Sequence, residues 1–348
     1  MSRIFVNGLG AVSSAGWGLK RLRETLAGEL PIAPKEIIQP NWRTPVRVRP
    51  VPAPSPRPPF LGHARLRRAS PIAQYAVAAA VEAMGEDRAR LSTGNLRLGV
   101  VLCVMSGCVN YSRRFYDETL KDPSTASPLV FPETVFNAPA SHIGALLGAT
   151  TINYTLVGDP GTFLQGIALA SDWLLSGEVE SCLVVGAEEL DWLTMEAFRL
   201  FSRKIIVSEG AGALYLRKDE AADTAIEVTA ITEPRLFSKA KSRLQAARQV
   251  REELGRNGAN CLLCDGRQGV AALDREEARA WDDWKGTRVS PKTLLGEGSM
   301  ASAAIQCVVA VDALKTGTHH AAIVSIVGTN EQAIAARFTR LNQNESPP

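Results

Sequence analysis

Short runs of β-branched and apolar residues alternate along the chain with longer segments rich in alanine and other small residues. A brief, uninterrupted apolar run suits a strand buried on both faces, and alanine-rich segments suit helices that pack closely on a sheet. The pattern predicts strands at Ile4–Gly8, Leu98–Cys103, Ile152–Val157, Ser181–Gly186, Gly212–Arg217, Ala225–Thr232, Asn260–Asp265 and Ala321–Val327. It predicts helices at Gly18–Gly28, Pro71–Met84, Gly161–Ser176, Arg235–Gly255 and Gly298–Lys315. The fold class is α/β. Between Asn41 and Pro59 the chain is crowded with proline and arginine, and the run Pro50–Pro59 can form neither helix nor sheet ladder. That stretch reads as an extended connector on the surface, with a ligand for a proline-recognition module as the other reading.

The pattern also repeats. Leu169–Gly177, followed by the strand Ser181–Gly186, matches Val309–Gly317, followed by Ala321–Gly328, with Ala170/Ala310, Asp172/Asp312, Leu174/Leu314 and Gly177/Gly317 in register. Two related halves are therefore expected, 1–217, which includes the connector, and 218–348.

Composition narrows the class. The 348 residues are 45% hydrophobic and 22% charged, with 39 basic and 36 acidic residues giving a net charge of +3. Disordered, collagenous and small disulfide-stapled chains are excluded, and nothing calls for a nucleic acid or an anionic membrane as partner. Met1–Asn7 lacks the apolar stretch of a secretory signal and no window approaches a membrane-spanning run, so a cytoplasmic location without membrane insertion is expected. Six scattered cysteines are expected as reduced, core-facing thiols. Cys261 and Cys264 have C-x-x-C spacing, but residues three apart on a strand face opposite ways, which argues against a redox or metal pair.

Val6–Gly16 is glycine-rich and follows a strand, as a dinucleotide-binding turn would. Its third glycine is misplaced for that motif and no acidic residue ends a second strand at the right distance, so no cofactor is implied. The segment instead resembles the opening of the β-ketoacyl synthases, condensing enzymes of the thiolase superfamily. The resemblance continues in order through Arg67–Ala80, Leu98–Val101, Ser127–Pro132, Asn137–Gly144, Gly177–Glu189, Glu209–Leu214, Ser290–Thr293 and Gly328–Asn330. It implies a five-layered αβαβα fold, a subunit partner and an acyl carrier protein.

The positions that would carry the chemistry are replaced. The resemblance puts the nucleophilic cysteine at Pro160, where a first-turn proline with Asp159 as a cap is an ordinary helix start. The two histidines fall on Asp265 and Glu297, while Lys292 is retained; Thr162 is the nearest hydroxyl to Pro160. The gate phenylalanine is missing, with Ser325-Ile326-Val327 ahead of Gly328, and the loop after Phe201 is short. His63, His142, His319 and His320 lie elsewhere and read as structural or solvated, and Arg65, Arg67 and Arg68 read as a solvated basic face. By resemblance Phe131, Thr134, Phe136 and Ile326 face a substrate tunnel or a dimer partner.

Three functions stay open. One is a non-catalytic subunit of chain-length-factor type, paired with an active β-ketoacyl-ACP synthase in fatty-acid or polyketide-type assembly. A second is a re-tasked acyl-thioester enzyme using Asp265, Glu297 and Lys292 in one cluster. The third is a non-enzymatic homodimer that binds an acyl chain or an acyl carrier protein.

Overall fold

The computed structural model describes residues 3–92, 96–148, 152–218, 225–238, 242–255, 260–317, 319–328 and 331–341. Up to residue 217 the chain runs β1 (Phe5–Ser13), β2 (Gly16–Trp17), α1 (Leu19–Gly28), β3 (Lys35–Ile37), β4 (Val46–Arg49), α2 (Pro71–Met84), α3 (Arg88–Ser92), β5 (Leu98–Val104), α4 (Val109–Lys121), α5 (Ala138–Leu147), β6 (Asn153–Val157), α6 (Thr162–Ser176), β7 (Ser181–Glu188), α7 (Trp192–Phe201), β8 (Val207–Ser208) and β9 (Gly210–Arg217). It continues with β10 (Ile226–Ile231), β11 (Arg235–Leu236), α8 (Arg243–Leu254), β12 (Cys261–Cys264), α9 (Ala271–Ala280), β13 (Arg288–Val289), α10 (Pro291–Leu295), α11 (Ser299–Thr316), β14 (Ala321–Val327) and β15 (Gln332–Arg340).

The main sheet has the order β13-β12-β14-β15-β10-β1-β9-β7-β5-β6. Outward from its centre, β1-β9-β7-β5-β6 and β10-β15-β14-β12-β13 have the same pattern, two antiparallel pairings and then two parallel ones. The junction between them is narrow, with Phe5 opposite Glu227. Helices α2 and α5 pack on the outer side of the first set of strands, α8 and α9 on the outer side of the second, and α6 and α11 lie in the core they share. This is the αβαβα layering. Helix α11 is buried on nearly every face, which is why its sequence, from Met300 to Val311, carries no charge.

Packing explains the glycine-rich opening. A Cβ on Gly8 or Gly10 would overlap the carbonyl oxygens of Ala83 and Ala79, so these glycines let α2 lie directly on β1. The six cysteines are free and buried, with Cys264 in the central core and Cys261 in the outer one, on opposite faces of β12. Among the described residues no helix is long and apolar enough to cross a membrane.

Two expectations need correction. The Asn41–Pro59 stretch is only partly a connector, because Val46–Arg49 forms β4 and pairs with β3 and β8. Val46 and Val48 fill a small core with Met195, Phe198, Ile205 and Val207, and this apolar alternation outweighs the surrounding prolines. The helix expected over Arg235–Gly255 begins only at Arg243, because a capping box between Ser242 and Gln245 starts it there and Arg235–Leu236 pairs with β15.

Candidate functional site

Helix α6 begins in the middle layer, at a point where a nucleophile would profit from the helix dipole. The residue placed there by sequence, Pro160, is buried in the turn just before the helix. It offers neither a nucleophile nor a backbone N–H to stabilise an oxyanion. The neighbouring Asp159 closes the site: Gly161 N donates to its Oδ1 at 2.9 Å, and Gln332 Nε2 donates to the same oxygen at 2.8 Å. The helix proper starts at Thr162, two residues later than a direct Asp159 cap would place it, and Asp159 secures the turn ahead of it. Burial raises the Asp159 carboxyl above the ordinary range, opposed by these hydrogen bonds. Thr162 is itself buried, against Gly158.

The acidic replacements have different direct partners. Glu297 pairs with Lys292 at 2.8 Å, both buried, and its second oxygen accepts from Ser299 N at 2.8 Å at the start of α11. Asp265 ends β12 fully buried, and its partners are different: Arg267 Nε at 2.7 Å, Arg288 Nε at 3.5 Å and Ser290 Oγ at 2.5 Å. Asp265 is thus bonded to the arginines and Glu297 to Lys292, while the Glu277 carboxyl feels the charges of both Asp265 and Lys292. The pocket beside Lys292 is small and is lined by Ser13, Ser14, Ser208, Glu209, Gly296 and Ser302 among others.

Sequence reasoning missed Glu277. It lies on the buried face of α9 and accepts from Gly266 N at 3.1 Å and Ser325 Oγ at 2.8 Å. Burial, with the nearby Asp265 charge, pushes it up to about 7. The run Asp274-Arg-Glu-Glu277 reads as a solvated helical face, and only the exact helical phase separates Glu277 from its exposed neighbours. Glu188, at the end of β7, was also missed. It is fully buried, receives the backbone N–H groups of Met105 and Ser106, and is pushed by burial up to about 8.

The tunnel or partner residues fall in two places. Phe131 (56% exposed), Thr134 and Phe136 (47% exposed) share one surface segment, in which Phe131 lies 5.3 Å from Phe115 of α4 and Phe136 rests on Gly107. Ile326 is not at a surface. It is 1% exposed on β14, opposite Ile334 in the central core. Thr329 and Asn330 of the expected gate loop lie outside the described residues. Strand β6 ends the sheet, paired only with β5 among the described residues, and leaves Tyr154 and Val157 about half exposed. His142 is structural as expected, with Nε2 2.8 Å from Glu133 Oε1, and His63, Arg65, Arg67 and Arg68 are exposed.

Residues 56–222 match the family described as Beta-ketoacyl synthase, N-terminal domain. The chain is ketosynthase-like. Its fold is shared with a β-ketoacyl synthase from Burkholderia phymatum STM815 (TM-score 0.78, 16% identity, covering 98% of this chain and 100% of that one). It is also shared with a ketosynthase in complex with its chain length factor from Xenorhabdus doucetiae (TM-score 0.75, 12% identity, 98% of both chains). A third such structure is a type II PKS acyl-carrier protein in complex with its ketosynthase bound to the hexaketide (TM-score 0.76, 17% identity, 98% of this chain and 99% of that one). No curated protein matches the sequence.

Proposed function

We propose that this chain is a non-catalytic ketosynthase-like subunit, of chain-length-factor type, that pairs with an active β-ketoacyl-ACP synthase and serves chains delivered by an acyl carrier protein. The division into two halves is placed at residues 217 and 218. The observation that carries the reading is the start of α6, where Pro160 offers neither nucleophile nor N–H and the Asp159 carboxylate takes up the Gly161 N–H. The separate ion-pair partners of Asp265 and Glu297 weigh against re-tasked acid–base chemistry. The edge of β6, unpaired on its outer side among the described residues, and the exposed phenylalanines, both tied to α5, support a partner there, through an interface above about 2,000 Å². On this reading Phe131, Thr134 and Phe136 form an adjustable plug at the floor of the partner's acyl tunnel.

The test is intact mass after incubation with an acyl donor, alone and with a cysteine-bearing ketosynthase. The expected result is no adduct on this chain, stable co-purification of the two, and acylation of the partner. A stoichiometric adduct on this chain, above all at Thr162, overturns the reading. In the assembled complex Phe136→Ala is expected to lengthen the product without reducing acylation of the partner's cysteine; unchanged product length overturns the plug.

A further inference from the structure

The plug has little structure of its own. Between α4 and α5 the chain makes only a single 3₁₀ turn, Phe131–Glu133, and its large side chains are half exposed, so burial does not fix its position. Three of its ties lead to α4 or to the loop before it. Phe131 packs on Phe115, Ser112 Oγ donates to Thr134 O at 2.9 Å, and Phe136 rests on Gly107, where an added Cβ would come within 2.6 Å of the ring. That loop is itself fastened by Glu188 through the N–H groups of Met105 and Ser106. The fourth tie runs the other way, from Glu133 in the turn to His142 on α5, with both carboxylate oxygens at 2.8 and 3.0 Å from Nε2.

We propose that Glu133 and His142 form a clamp that holds the plug in register with α5, so that this pair, together with the two phenylalanines, sets where the tunnel floor stands. The proposal rests on the chain-length reading above. Its geometry is one-sided. His142 is buried and its Nδ1 has no hydrogen-bond partner among the described residues, so Glu133 alone orients the ring. Removing the carboxylate would leave a buried imidazole with neither nitrogen satisfied, which makes this tie costlier to lose than an exposed pair. Helix α5 is in turn joined to the edge strand, since Asn153 Nδ2 on β6 donates to Ala140 O at 3.0 Å. The clamp therefore links the plug to the strand on which the partner is proposed to dock, and Glu133 and His142 are positioning residues.

Hydrogen exchange on the full chain tests the clamp without any partner. Glu133→Ala is expected to raise amide exchange across residues 131–137 by about tenfold or more, the size of a lost hydrogen bond to a charged group, with β5 and β7 unchanged. Glu133→Gln keeps an oxygen acceptor for Nε2–H and is expected to restore protection. His142→Leu breaks the pair from α5 and is expected to give the same local rise. Unchanged exchange at 131–137 in Glu133→Ala or His142→Leu overturns the clamp, as does a rise spread equally over the core strands. In the assembled complex Glu133→Ala is expected to broaden the product-length distribution and Glu133→Gln to leave it narrow. A local exchange rise with no change in product length keeps the clamp and overturns the chain-length reading.

Discussion

The two helices of the middle layer begin in nearly the same way and are stabilised differently. At α6 the carboxylate of Asp159 accepts the N–H two residues on, from Gly161; at α11 the carboxylate of Glu297 accepts the N–H two residues on, from Ser299. Each helix thus meets its unsatisfied donors and positive dipole end with an acid from its own chain, which leaves no room for an outside anion. The difference lies in what faces each acid. Asp159 is matched by the neutral amide of Gln332, while Glu297 is matched by the ammonium of Lys292. A buried acid without a cation is held by hydrogen bonds that its amide could largely reproduce. A buried acid with one depends on charge.

The contrast is broken most severely by removing half of the ion pair. Glu297→Gln leaves Lys292 buried and unpaired, and a loss of about 3–5 kcal/mol is expected in chemical denaturation. The double variant Lys292→Met/Glu297→Gln is expected to recover most of it, and a double variant as unstable as the single one would show that packing rather than charge is responsible. Glu277 sharpens the comparison as a third buried acid, one held by Gly266 N and Ser325 rather than by a cation of its own. Its value, pushed up to about 7 in the fold, lies above the ordinary 4.5 of a glutamate, so the native state holds the extra proton between those limits. Stability should then fall as pH rises through that window and level off above it, by about 2–3 kcal/mol for this group alone. Glu277→Gln is expected to flatten the slope and to melt higher than the parent at pH 8; parallel pH profiles would sink the assignment. The smallest effect belongs to Asp159. Its raised value means that charging it costs stability as pH rises, so Asp159→Asn should change stability at pH 8 by less than about 1 kcal/mol, in the stabilising direction if at all. A loss comparable to Glu297→Gln would erase the distinction between the two helix starts.

The buried strands and the small-residue helices were legible because a run such as Leu98–Val104 is apolar on both faces, and an internal match between α6–β7 and α11–β14 points to the repeated sheet pattern. Strand β15 escaped because Gln332–Arg340 mixes arginine and glutamine into its alternation, and α4 because Val109–Lys121 buries almost nothing. In the site, the replaced positions Pro160, Asp265 and Glu297 could be read through family resemblance, but their partners could not. Nothing in sequence spacing tells that Arg267 and Arg288 take Asp265 away from Lys292, or that Gln332 reaches Asp159 across 173 positions. Ile326 sits beside the Gly328 loop, and its strand alternation points it into the core.

The margin of β6, unpaired among the described residues, bears on how the protein must be made. A sheet edge with free backbone donors and acceptors, set beside half-exposed Tyr154 and Val157, will add any compatible strand it meets, including that of a stalled or misfolded neighbour. Chains produced in excess of whatever covers that margin would feed insoluble deposits or be degraded by quality control. Balanced, simultaneous synthesis of the chain and its cover is thus a condition of yield, and expression of the chain by itself should recover less soluble material than co-expression does.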